Sequence, residues 1–161
     1  MKQAGHAIRL NAQVLAILFC IAACAPVTSL SPATDKVAMQ NPVYHFEIPV
    51  TDMERAIRFY QDVLGYELTR QQVDGYEMAF FPRADGKPGA SGALAKGDVY
   101  VPSKTGAIIY FDVPDIDPIL EKAKAKGAKV LYPKKSLGEA GFVAEIEDSE
   151  GNRIALNALN D

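Results

Sequence analysis

Cysteine, histidine and tryptophan are scarce in this chain of 161 residues, which has two cysteines, two histidines and no tryptophan. Both cysteines, Cys20 and Cys24, lie close to the N-terminus, so the rest of the chain can form no internal disulfide. Its stability must therefore come from a hydrophobic core, and the 48% of apolar residues in the sequence can supply one.

The sequence also lacks an excess of positive charge, because 17 lysines and arginines face 20 acidic residues. There is no basic patch or arginine-rich arm, which argues against a nucleic-acid partner. A glycine-rich phosphate loop, a nucleophile elbow and a His-Glu-x-x-His sequence are absent as well. These absences argue against kinase, serine hydrolase and metalloprotease activities.

The N-terminus contains an apolar run, Val14 to Ala23, preceded by Lys2 and Arg9. A helix of about ten apolar residues is too short to cross a hydrocarbon layer of roughly 30 Å, but this length is typical of the central region of a signal peptide. The run ends in Ile21-Ala22-Ala23-Cys24, which resembles the bacterial lipoprotein lipobox. We therefore predict a signal peptide over residues 1–23.

The lipobox resemblance predicts that Cys24 receives the lipid and holds the protein in the bacterial cell envelope. Cys20 is the rival acceptor, but the bulky Phe19 precedes it. Ala25, which is not aspartate, favours the outer membrane in a Gram-negative host. An ordinary secretory signal with an incidental cysteine, or an uncleaved anchor, remains the alternative.

Cleavage before Cys24 would leave 138 residues with 15 basic and 20 acidic side chains, a net charge of −5. An acidic chain gains nothing from anionic lipid, so attachment to the membrane would depend on the acyl chains. Residues 24–41 are small, polar and rich in proline without periodicity, which predicts a flexible tether or, alternatively, an ordered arm. The folded domain is then residues 42–161.

Apolar periodicity in the domain predicts one strand, one helix and three further strands, in that order and twice over. In the first half, Val43–Val50 is a strand, Asp52 caps a helix and Gly65 ends it. In the second half, Asp115 and Gly127 have the same two roles. This internal repeat predicts an α+β fold in which two βαβββ modules pair into a curved, half-barrel-like sheet around a central cavity.

Individual strands follow from the alternation of apolar residues and from the turn sequences. The predicted strands are Val43–Val50, Tyr66–Arg70, Tyr76–Phe81, Gly92–Lys96, Ala107–Val113, Lys129–Tyr132, Phe142–Ile146 and Arg153–Asn157.

Specific sequence motifs support this arrangement. His45 is followed by Ile48-Pro49-Val50-Thr51-Asp52-Met53-Glu54-Arg55-Ala56, and Asp148-Ser149-Glu150-Gly151-Asn152-Arg153-Ile154 lies near the C-terminus. These motifs resemble those of the vicinal oxygen chelate superfamily, over roughly residues 42–158. The superfamily includes glyoxalases, extradiol dioxygenases, epimerases, fosfomycin-modifying enzymes and bleomycin-binding proteins, so the resemblance implies a fold and leaves the reaction open.

The resemblance also implies four positions for the ligands of a divalent metal, in a cup formed by the two sheets. His45 matches the first position, whereas Ala93, Ile108 and Ala155 fall on the other three. Glu47 shares a strand face with His45, but the pair does not complete a coordination sphere. We therefore expect no resident metal cofactor.

The remaining polar residues of the cup are candidates for binding a small polar or aromatic molecule. By strand alternation, the candidates on the cup face are His45, Glu47, Tyr110, Asp112, Arg153 and Asn157. Alternatively, Glu47 and Arg153 only neutralise each other. Glu139, in a glycine-flanked loop over residues 136–142, is a candidate lid residue, and a simple hairpin connection is the alternative.

Three functions remain compatible with the sequence. The chain is a small-molecule binding protein of the bleomycin-resistance kind, a noncanonical lyase or isomerase of the glyoxalase-like group, or an envelope protein that uses the fold only as an interaction surface. The absent metal ligands favour the first and third functions over the second, and the polar cup favours the first over the third. A homodimer is a possible assembly.

Overall fold

A computed structural model describes residues 42–159 of the chain. The predicted signal peptide and tether, with Cys24, lie outside these residues. The elements, in chain order, are β1 (His45–Pro49), α1 (Met53–Leu64), β2 (Thr69–Val73), β3 (Tyr76–Phe80), β4 (Ser91–Lys96), β5 (Ile109–Asp112), α2 (Ile116–Ala125), β6 (Val130–Ser136), a 3-10 turn (Gly138–Ala140), β7 (Phe142–Glu147) and β8 (Arg153–Ala158).

The first helix begins and ends where the sequence predicts. The side chain of Asp52 accepts a hydrogen bond of 3.0 Å from the backbone N–H of Arg55, which satisfies one free amide of the first turn. Gly65 follows the last helical residue with a φ of +78°, a conformation that costs glycine little. The second helix is capped in the same way, since Asp115 accepts from the N–H of Asp117 at 3.1 Å.

The strands form two four-stranded sheets with the same topology, in the orders β1-β4-β3-β2 and β5-β8-β7-β6. In each sheet the first strand pairs in parallel with the fourth, and the other pairs are antiparallel. The predicted α+β fold and its internal repeat are confirmed.

The core lies between the two helices and the sheets. Aromatic rings from both modules meet there, with centroids 5.3 Å apart for Tyr60 and Phe81 and 5.6 Å apart for Phe81 and Phe111. Burying an aromatic side chain removes a large apolar area from water, so this cluster is a main source of the attraction between the modules.

A polar joint also holds the two modules together. The Glu150 side chain, which is 0% exposed, accepts hydrogen bonds of 2.8 to 3.0 Å from Thr51, Asp52 and Arg55 at the start of α1. Burial by itself would raise the pKa of Glu150, but the hydrogen bonds from Arg55, Asp52 and Thr51 outweigh it and lower the pKa to about 2. The carboxylate therefore remains charged at neutral pH.

A second buried contact lies beside this joint. The Tyr60 hydroxyl donates a hydrogen bond of 2.8 Å to Asp148, and Asp148 also accepts from the backbone and side chain of Asn152. Burial is the main reason why the pKa of Asp148 is raised and why the pKa of Tyr60 lies well above its usual value. The side-chain amide of Asn152 also connects the two modules, because it donates a hydrogen bond of 2.8 Å to the carbonyl of Pro49 in the first module.

Strand boundaries differ from the prediction mainly in two places. The strand predicted over Tyr66–Arg70 lies at Thr69–Val73, because Tyr66 turns into the aromatic core and the strand register is set by the turn at Asp74 and Gly75. The strand predicted over Lys129–Tyr132 extends to Ser136, through two register irregularities opposite β7. Within residues 42–159, no helix is long and apolar enough to span a membrane.

Candidate functional site

The strand faces that point away from the helices form the candidate site. Along β1 the side chains alternate, so that Phe46 and Ile48 join the core and His45 and Glu47 point to the other face. Together with the corresponding face of β4, they border an open cavity of about 820 Å³. Val73, Met78 and Phe80 supply apolar surface to the same cavity.

Glu47 is the centre of a small polar network in this cavity. Its Oε2 accepts a hydrogen bond of 2.7 Å from the Tyr100 hydroxyl, and its Oε1 lies 3.6 Å from Nε2 of His45. The hydrogen bond to Glu47 is the main reason why the pKa of Tyr100 is raised to about 12. Tyr100 therefore stays protonated and donates to the carboxylate at neutral pH.

Tyr100, which was not among the predicted site residues, belongs to the connection between the modules, residues 97–108. Its ring packs edge-on against Tyr76 with centroids 5.3 Å apart. A Cβ at Gly97 would lie only 2.2 Å from the Tyr76 ring, so the absence of a side chain there allows this packing. The connection has no periodic pattern, and no local signal in the sequence assigns Tyr100 to the site.

The same connection lies over the groove between the two modules. The N–H of Ser103 donates to the Asn152 side chain at 2.9 Å, and the N–H of Arg153 donates to the Ser103 carbonyl at 3.3 Å. A groove of about 190 Å³ remains beneath it, with Glu47 on one side and Arg153 on the other. These two predicted residues therefore border one groove.

Glu47 and Arg153 form no ion pair with each other in residues 42–159, so the alternative that they only neutralise each other is wrong. Arg153 instead contacts Glu145 on β7, through Nε at 2.7 Å and also through Nη2. The hairpin register explains this choice, because Glu145 lies opposite Ala155 and therefore shares a sheet face with Arg153. Glu145 was not among the predicted site residues, although counting back from the Asp148–Asn152 turn along the hairpin identifies it as a neighbour of Arg153.

The other candidates lie apart from the His45–Glu47 network. Asp112 and Asn157 are neighbours in the parallel register, and the Asn157 amide donates to Asp112 at 3.3 Å. Tyr110 and Asp112 border a different cavity, of about 250 Å³. Glu139 is exposed in the 3-10 turn and borders none of the cavities described here, so the lid remains a prediction.

A further cleft, of about 530 Å³, is bordered by α1, by the segment that follows α2 and by the turn between β7 and β8. Three ion pairs lie within it, namely Arg55 with Glu150, Lys126 with Asp62 and Lys129 with Glu147. This internal pairing makes the cleft part of the joint between the modules.

The cup residues do not fit a divalent metal. Ala93 and Ala155 are fully buried methyl side chains at two of the expected ligand positions, and the third is Ile108. Residues 42–159 contain no group of three or more histidine, cysteine, aspartate or glutamate side chains that could hold a metal ion. His45 and Glu47 together fall short of the three protein ligands that catalytic zinc sites normally have.

Comparison with known proteins identifies the family. The model of the glyoxalase/bleomycin resistance protein/dioxygenase superfamily matches residues 43–156. The chain belongs to this superfamily. A relative in the superfamily, the lactoylglutathione lyase of Haemophilus influenzae, is 31% identical over 119 residues, which cover 70% of this chain and 88% of that protein.

Solved structures share the superfamily fold at lower identity. An antibiotic-binding protein from Streptomyces sp. CB03234 is 24% identical with a TM-score of 0.55, and the match covers 73% of this chain and 95% of that one. A glyoxalase I variant from Zea mays is 22% identical with a TM-score of 0.59, covering 73% of this chain and 45% of that one. At these identities the likeness extends to the fold alone.

Proposed function

We propose that this protein is a lipid-anchored envelope protein whose domain binds a small polar or aromatic molecule in the cup without the metal of the superfamily's enzymes. The proposal depends on two observations: Ala93, Ile108 and Ala155 replace three of the four ligand positions, and the polar side chains of His45 and Glu47 border a large cavity. An apolar wall with a few placed polar groups is the usual composition of a small-molecule site.

The network of Tyr100, Glu47 and His45 would orient the ligand. Only one oxygen of Glu47 is hydrogen-bonded by Tyr100, so the other oxygen and His45 can accept or donate hydrogen bonds to a bound molecule. Val73 and Phe80, which keep exposed apolar surface in this cavity, would supply most of the binding free energy when a ligand covers that surface.

A ligand screen by thermal shift on the full chain, with and without divalent metals, tests this site. Once a ligand is found, Glu47→Gln and His45→Ala should each weaken binding, by about ten- to a hundred-fold for the charged Glu47, since each removes a polar group that borders the cavity. Lys124→Ala, on the exposed face of α2, is the control and should bind as the wild type does. Unchanged affinity in both cavity variants would place the ligand elsewhere and favour the interaction-surface hypothesis.

The absence of a metal cofactor has its own test. The purified protein should contain less than one zinc, nickel, iron or manganese ion per chain and should not convert the methylglyoxal–glutathione hemithioacetal. About one transition metal per chain, lost in His45→Ala, would overturn this proposal.

A noncanonical lyase or isomerase is the second candidate function. The relative named lactoylglutathione lyase, at 31% identity, favours it. Turnover of a small oxo-compound without added metal, abolished in Glu47→Gln, would support this candidate over binding alone.

A homodimer remains a prediction, and sedimentation of the full chain would test it.

We propose that lipid attachment at Cys24 holds the protein in the cell envelope. The sequence that resembles a lipobox, after a short apolar segment, supports this proposal. Metabolic labelling with an alkynyl fatty acid should mark the wild type and spare Cys24→Ala, with the label in the envelope fraction. Equal labelling of both proteins would refute the attachment site.

A further inference from the structure

A cavity of about 250 Å³ lies at the boundary between the two modules, apart from the His45–Glu47 network. Aromatic side chains from both modules form its wall, namely Phe46, Tyr66, Phe81, Tyr110 and Phe111. The rings hold each other in place, since Phe46 packs edge-on against Phe111 with centroids 6.1 Å apart and Tyr66 packs edge-on against Phe81 at 5.7 Å. The wall is therefore largely pre-formed.

A single carboxylate lies at this aromatic wall. Asp112 is exposed, and its Oδ1 accepts a hydrogen bond from Asn157 at 3.3 Å. Burial is the larger cause of the raised pKa of Tyr66, and the negative charge of Asp112 is the second, which indicates that the carboxylate is close to that ring.

Among the residues that the structure describes, none that borders the cavity has a positive charge, because the lining contains no lysine, arginine or histidine. Asp112 also forms no ion pair among residues 42–159. The negative charge of Asp112 is therefore available to attract a cation that enters the cavity. Anionic molecules would be repelled, and a single carboxylate is too few ligands for a divalent metal.

We propose that this cavity binds a small organic cation of the quaternary ammonium type. The faces of aromatic rings attract a cation within about 6 Å, and the attraction grows when water is excluded. The volume lies below the range of roughly 300 to 1,000 Å³ that is typical of drug-sized ligands, so it suits a small head group. This site goes beyond the proposed function of the cup and does not depend on it.

Choline and its neutral isostere, 3,3-dimethylbutan-1-ol, are the probes that test the proposal. The two molecules have nearly the same shape and differ in charge. The ratio of their affinities therefore measures the electrostatic contribution to the binding free energy. In isothermal titration calorimetry on the full chain at constant ionic strength, choline should bind saturably and at least about ten-fold more tightly than the alcohol. Equal affinities, or no saturable binding of choline at millimolar concentrations, would overturn the proposal.

Two substitutions locate the binding on the molecule. Asp112→Asn keeps the shape of an exposed side chain and removes its charge, and Tyr110→Leu removes an aromatic face from a residue that is 55% exposed. Each should weaken choline binding about five-fold or more, with an unchanged thermal midpoint. Asp74→Asn, in the turn between β2 and β3, is the matched control and should bind choline as the wild type does. Wild-type affinity in both Asp112→Asn and Tyr110→Leu would show that the cation binds elsewhere.

Discussion

The substitution Glu150→Gln tests whether the polar joint stabilises the contact between the modules. The glutamine keeps the size of the side chain but cannot accept all the hydrogen bonds that the carboxylate accepts from Thr51, Asp52 and Arg55. We therefore expect the free energy of unfolding to fall, without a change of fold.

The magnitude follows from the pKa of Glu150. A fall from 4.5 to about 2 corresponds to roughly 3 kcal/mol of stabilisation of the charged form, at about 1.4 kcal/mol per pKa unit. The Arg55 side chain is 49% exposed, so solvent screening reduces this value, and we expect a loss of about 2 kcal/mol at pH 7.

The pH dependence gives a second measurement. Because the pKa of Glu150 is lower in the folded than in the unfolded protein, its stabilisation is complete above about pH 4.5 and is lost as the pH falls towards 2. The difference in the free energy of unfolding between wild type and Glu150→Gln should therefore shrink over this interval.

Urea unfolding at several pH values measures both effects. Glu121→Gln is the matched control, since Glu121 is 74% exposed and its one ion pair within the described part of the chain is with Lys124, one turn away. A loss in Glu150→Gln no larger than in this control at pH 7, or a difference from wild type that is independent of pH, would refute the reasoning.

Three further substitutions test other parts of the structure. Tyr60→Phe removes a donor from a buried carboxylate and should lower the free energy of unfolding by about 1 to 3 kcal/mol, as measured in urea. Gly92→Ala places a Cβ 2.2 Å from the Phe46 carbonyl oxygen and should lower the thermal midpoint by several degrees; an unchanged midpoint would contradict the close approach of these strands. Tyr100→Phe should remove a phenol that ionises at about 12 from the ultraviolet pH titration, and it should weaken ligand binding without unfolding the protein, since it removes only a hydroxyl bonded to Glu47.

The order and type of the elements were predictable from the sequence because local signals are strong there. Asp52 and Gly65 define the first helix, and Asp115 defines the start of the second, through contacts within a few residues. The repeat of this pattern then predicts two sheets of one topology. Strand ends were less predictable, as Tyr66 shows, since the packing of its ring against Phe81 determines where the next strand can begin.

The contacts within the candidate site were less predictable because they depend on tertiary structure. Alternation along β1 correctly puts His45 and Glu47 on one face, but it cannot tell which side chain from another segment will reach them. Tyr100 comes from a connection without periodicity. Arg153 has two carboxylates nearby, Glu145 in its own module and Glu47 across the groove. The register of β7 and β8 places Glu145 on the same sheet face as Arg153, which explains why the two side chains pair.

The joint at Glu150 also determines when the fold can be completed. Arg55 and Glu150 are separated by 95 positions in the sequence, so the first helix cannot obtain this partner until nearly the whole domain has been synthesised. At about 5 to 20 residues per second on the ribosome, the helix waits roughly 5 to 20 s for it. Contacts of such long range also slow folding in general. The nascent first module therefore remains incompletely stabilised throughout translation, and a chain that ends before the last hairpin lacks the joint altogether.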